Sequence, residues 1–148
     1  MSGYLCVDAS VAAKWVLPEV HREESLGLYE TCYRSATTIA VPPHFPVEVV
    51  NILRRRVVRG HLGYDEGRDL LAQFTQFAVR LVIPPRLYER AFELAQTYQL
   101  PAVYDAHYVA LADLLSCDLW TDDQRLLNAL DKRLPFVKWI GEYAPAQP

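Results

Sequence analysis

Tyr4-Leu5-Cys6-Val7-Asp8-Ala9-Ser10 decides how the rest of the chain is read. Four residues suited to a strand run straight into a carboxylate, and Val11 to Leu17 then takes on helical character before Pro18. The same order recurs downstream. Thr38 to Val41 is β-rich and halts at Pro42-Pro43, and Pro46 to Arg59 reads as a long helix. Asp118 to Thr121 reads as a strand ending in Asp122-Asp123, with a helix over Arg125 to Leu130. Strands alternating with helices predict a three-layer α/β/α sandwich around a short parallel sheet.

Further helices are expected over Glu23 to Tyr33, Tyr64 to Phe77, Leu87 to Tyr98 and from Asp105 through Leu115. Short extended pieces are expected at Arg80 to Ile83, at Ala102-Val103 and at Phe136 to Ile140. In the long helix Val47, Val50, Leu53 and Val57 recur at three- and four-residue steps, and Gly60 offers a stop. Helical residues far outnumber strand residues. A small sheet follows, with a helical subassembly from about Pro46 to Tyr98 at one side.

The 148 residues suit a single domain over 1–148, with 51% hydrophobic and 22% charged side chains. No apolar run approaches the roughly 20 residues that span a bilayer. Met1 to Val7 lacks the basic start of a signal peptide, so a cytoplasmic protein is expected. Cys6, Cys32 and Cys117 form no C-x-x-C pair and read as free thiols. Fifteen basic against eighteen acidic side chains leave a net charge of −3, which argues against a broad basic face for nucleic acid. Any contact with phosphate must be local.

In open α/β sheets ligands bind beyond the carboxyl ends of the strands. Asp8 and Asp123 follow strands, and Asp105 stands at the head of a helix. Each also has an ordinary role as a helix N-cap. Glu48 lies among valines early in its helix, where a carboxylate is rarely buried without a partner. At 100° per residue it shares a face with Asn51, Ile52, Arg55 and Arg59. Carboxylates without Cys or His select a hard cation such as magnesium or manganese. His21, His44, His61 and His107 show no ligand spacing, and a helix would turn His107 away from Asp105.

Val7-Asp8-Ala9-Ser10-Val11, Pro46-Val47-Glu48-Val49-Val50-Asn51, Tyr104-Asp105-Ala106-His107-Tyr108 and Trp120-Thr121-Asp122-Asp123-Gln124-Arg125 resemble the PIN-domain ribonucleases, above all the VapC toxins of toxin–antitoxin pairs. The likeness covers nearly the whole chain, with the four blocks in the family's order. It implies a cytoplasmic endoribonuclease whose Asp8, Glu48, Asp105 and Asp123 hold one or two magnesium ions, with manganese as substitute. Ser10, Asn51 and Thr121 match polar positions beside the acids, Asp122 is a second candidate for the last ligand, and Arg55 and Lys14 are candidates for the phosphate backbone. The implied partners are an RNA substrate, a VapB-like antitoxin and a second copy of the chain. Two other classes share some features: phosphotransferases that work through an aspartyl-phosphate at a strand-end Asp, and a non-catalytic PIN-like binding module.

Overall fold

The computed structural model describes residues 3–145. Five strands form one parallel sheet: β1 (Tyr4–Val7), β2 (Thr38–Val41), β3 (Arg80–Leu81), β4 (Leu119–Thr121) and β5 (Val137–Trp139), in the order β3-β2-β1-β4-β5. The chain winds outward from β1 to β3 on one side and from β4 to β5 on the other. The reversal opens a crevice at the carboxyl ends of β1 and β4. Register fixes its floor: Cys6 pairs with Leu119 and Val7 with Trp120, so Asp8 and Thr121 end their strands side by side.

The helices are α1 (Ala9–Ala12), α2 (Arg22–Arg34), α3 (Phe45–Val58), α4 (Tyr64–Phe74), α5 (Leu87–Thr97), α6 (Tyr104–Leu115) and α7 (Gln124–Leu130). Helix α6 lies against β1, β2 and β4 with α5 packed along it, while α2 covers β2 from the other layer and α3 bridges α1 and α4. Ala106, Ala110 and Ala112 are fully buried, and their small side chains bring α6 close to the sheet.

Three expectations are corrected. Val11 to Leu17 is not one helix: after the single turn of α1 the chain tightens into a 3-10 turn, Ala13–Trp15. Ala102-Val103 forms no strand, because Val103 already has helical dihedrals (φ −91°, ψ −3°) as the residue that opens α6. The inward stripe of α3 is Phe45, Val49 and Leu53, spaced four apart, whereas Val47 and Val50 are 69% and 43% exposed. That offset turns Glu48 and Asn51 toward the crevice.

Candidate active site

Asp8 closes β1 and is 4% exposed. Its Oδ1 accepts from Ser10 Oγ at 2.5 Å and from the Val11 N–H at 3.2 Å, and its Oδ2 accepts from the Thr121 hydroxyl. Both hydroxyls are themselves held by backbone: Ser10 Oγ accepts the Asp122 N–H and Thr121 Oγ1 the Asp123 N–H, each at 2.9 Å. The end of β4 thus grips the end of β1 through two side chains. Burial pushes the Asp8 carboxyl up to about 7; the hydrogen bonds from Ser10, Thr121 and Val11 oppose the rise, and the charge of Asp123 adds to it.

The other three acids reach the same place from different elements. Glu48 sits in the first turn of α3, Asp105 in the first turn of α6, and Asp123 caps α7. Together with Asp8, Ser10, Asn51 and Arg55 they line one cleft of about 180 Å³. Asp105 caps nothing, since Val103 holds that position. Burial, with the charges of Asp123 and Glu48, raises its carboxyl to about 6. Asp123 is both cap and cleft acid: Oδ1 accepts from the Arg125 and Leu126 N–H groups at 3.0 and 3.3 Å, leaving Oδ2 for the cleft. Among the described residues none of Asp8, Asp105 and Asp123 forms an ion pair.

Glu48 differs. Tyr108 donates to its Oε1 at 2.7 Å, and His44 Nε2 lies 3.1 Å from the same oxygen. Nε2 is also 3.0 Å from the Tyr104 carbonyl, and two acceptors there place the ring proton on Nε2. Burial would raise the Glu48 carboxyl, but these hydrogen bonds, together with the charges of His44 and Arg55, hold the group below its usual range. Neither partner was singled out from sequence, although His44 precedes Glu48 by four residues and Tyr108 follows Asp105 by three, the spacings that share a helix face. His107 does turn away: its Nδ1 lies 2.5 Å from the Val103 carbonyl.

Oxygen donors that repel one another in a buried crevice suit a hard divalent cation, which relieves the repulsion. Among the described residues no three His, Cys, Asp or Glu side chains are drawn together tightly enough to enclose an ion on their own. Magnesium needs no such cage, because it keeps several waters and takes one or two carboxylates. The residues fit a magnesium-like ion.

Asp122 does not line the cleft. Its Oδ2 meets Lys14 Nζ at 2.8 Å and its Oδ1 accepts from Trp139 Nε1 at 2.8 Å, so the carboxylate faces a neighbouring groove. Gly141 keeps the indole in place, since any Cβ there would collide with the Trp139 ring. Lys14, considered above for phosphate, is 4% exposed and bound to Asp122 and Glu19. Thr121 is fully buried; its hydroxyl donates to Asp8 and accepts the Asp123 N–H, which ties the ends of β1 and β4 together.

A parallel sheet with four acids gathered at its switch point defines the class, and the PIN domain family matches residues 5–132. The chain belongs to the PIN-domain family. Within it, the chain is 31% identical over 133 residues to ribonuclease VapC9 of Mycobacterium tuberculosis, covering 90% of this chain and 96% of that protein. It is 32% identical over 124 residues to ribonuclease VapC3 of Pyrobaculum aerophilum, covering 82% and 91%. With ribonuclease VapC12 of Mycobacterium tuberculosis it shares 37% over 92 residues, 62% and 69% of the two chains. Among the described residues no helix is long and apolar enough to cross a membrane.

Proposed function

We propose that the chain is a metal-dependent endoribonuclease, the VapC-type toxin of a toxin–antitoxin pair, which hydrolyses RNA phosphodiesters at the acidic cleft. The observation that carries this reading is four carboxylates from β1, α3, α6 and α7 lining one crevice, two of them raised toward neutrality by burial and by their neighbours.

Asp8, Glu48, Asp105 and Asp123 would hold one or two magnesium ions, with manganese as substitute; Asp123 serves rather than Asp122, whose carboxylate is bound elsewhere. When bound, such an ion supplies positive charge beside the phosphate and lowers the pKa of water. The protein contributes orientation. Ser10 and Thr121 fix the Asp8 carboxylate, and Tyr108 and His44 fix Glu48. Asn51 and Arg55 stand at the cleft margin, free to meet the RNA backbone. An aspartyl-phosphate mechanism fits poorly, because both oxygens of the buried Asp8 already accept hydrogen bonds.

A VapB-like antitoxin and a second copy of the chain belong to the same reading. Val47, Val58, Tyr88, Phe92 and Tyr104 are each at least 60% exposed, and such apolar area suits protein partners. The test is cleavage of total and synthetic RNA by purified protein with magnesium and with chelator. Cleavage should require the ion. Undiminished cleavage in chelator would overturn the reading.

A further inference from the structure

Resting on the ribonuclease reading, we propose that the groove beside the acidic cleft is a second phosphate subsite, in which Arg55 and Arg59 hold the single-stranded RNA backbone next to the bond that is cut. The groove, about 270 Å³, shares Ser10, Ile52 and Arg55 with the cleft and continues along α3 to Arg59. Its charges do not balance. Four cations line it, Lys14, Arg55, Arg56 and Arg59, against two acids, Glu19 and Asp122. Both acids are already neutralised. Lys14 Nζ lies 2.8 Å from Asp122 and 3.5 Å from Glu19, and the Arg56 guanidinium bonds the remaining oxygen of Glu19.

Arg55 and Arg59 are left over. Both are exposed, and among the described residues neither side chain forms a hydrogen bond or a close ion pair, although the charge of Arg55 also acts on Glu48 across the shared margin. Arg55 lies in the last turn of α3, and Arg59, four residues on, is its C-cap with helical dihedrals. They are offset by about 6 Å along the axis, so their positive charge runs in a line away from the cleft. Arg55 stands at the shared margin and Arg59 beyond it. A guanidinium fork matches two phosphate oxygens, and a strand whose scissile phosphate sits over the acids would carry its following phosphates along this line. The surplus is positive, which excludes a second cation site. Its small extent, in a protein of net charge −3, suits one flexible strand rather than a duplex face.

The experiment uses Asp8→Asn protein, which should bind without cutting, and a fluorescent single-stranded RNA decamer followed by anisotropy over a range of salt. Introducing Arg59→Gln should weaken binding several-fold and reduce the slope of log K against log salt by about 0.7, the value of one contact to a single strand. Arg59→Lys should restore the slope while recovering only part of the affinity. Arg56→Gln should leave the slope unchanged, because Glu19 already takes its charge. In the otherwise intact enzyme Arg59→Gln should raise KM more than it lowers kcat. An unchanged slope in Arg59→Gln, with wild-type protein still cutting RNA, would overturn the subsite alone and hand the groove to a protein's carboxylates. Absence of metal-dependent cleavage in the wild type would remove the ribonuclease reading and the subsite with it.

Discussion

The acidic cleft and the basic groove share a wall, Ser10, Ile52 and Arg55, yet they treat charge in opposite ways. In the groove every carboxylate meets a cation: Asp122 meets Lys14, and Glu19 meets Lys14 and Arg56. In the cleft Asp8, Asp105 and Asp123 meet hydroxyls, backbone N–H groups and each other. Folding alone rewards the first arrangement, since an unpaired buried charge is costly. The second makes sense where something from outside completes it. Adjacent acids, Asp122 and Asp123, fall on opposite sides of that divide, and only their partners distinguish them.

The largest break in this contrast is Asp8→Asn. If Asp8 holds the ion as proposed, losing its carboxylate should lower cleavage about 1,000-fold, the equivalent of roughly 4 kcal/mol of transition-state stabilisation. The metal-free wild-type protein should in turn lose stability as the pH rises. The sign follows from the raised carboxyls. Asp8 and Asp105 titrate near 7 and 6 in the fold against an ordinary value of 3.8. Their contribution is fully present below about pH 4 and is lost as the pH rises through 6 and 7. Metal-free protein should therefore melt lower at pH 8 than at pH 5, and magnesium should raise the melting temperature more at pH 8. A metal-free curve that rises steadily across that interval would show that burial and neighbouring charge do not raise these carboxyls.

In the groove the expectation reverses. Lys14→Met should leave Asp122 and Glu19 without their shared cation and cost about 2–3 kcal/mol by thermal unfolding, less than a fully buried pair because both acids are partly exposed. Adding Asp122→Asn should recover part of that loss, since the amide keeps the shape without the charge. Two losses that simply add would mean that the 2.8 Å contact contributes nothing.

Why the cleft was largely legible from sequence and the groove was not follows from the same difference. Strand-end placement is a local property, so Asp8 and Asp123 announce themselves wherever a short apolar run meets a carboxylate. Glu48 stands out because valines surround it. Pairing is not local: Lys14 and Asp122 are 108 positions apart, and nothing near either one says that they touch. The face of α3 was misjudged for a related reason. Val47, Val49 and Val50 are alike in composition, and tertiary packing, not periodicity, turns Val49 inward and leaves the other two in solvent.

The smallest expected effect probes the one cleft acid that resembles the groove. Glu48 is held by Tyr108 and His44 and lies below the usual carboxylate range, whereas Asp8 and Asp105 lie above it. Tyr108 is 1% exposed, and burial and the Glu48 charge keep its phenol protonated, so it remains a donor throughout the working range. Tyr108→Phe keeps the ring and removes only that donor. It should cost about 1 kcal/mol of stability and a few-fold in cleavage, because His44 still orients the carboxylate. The informative readout is the magnesium concentration for half-maximal cleavage, which should rise as Glu48 loses its fixed direction. An unchanged requirement would make the hydroxyl a packing detail. A loss beyond about 1,000-fold would place Tyr108 against the RNA itself, since one hydrogen bond to a charged carboxylate contributes about 1.5–3 kcal/mol, on the order of 100-fold at most.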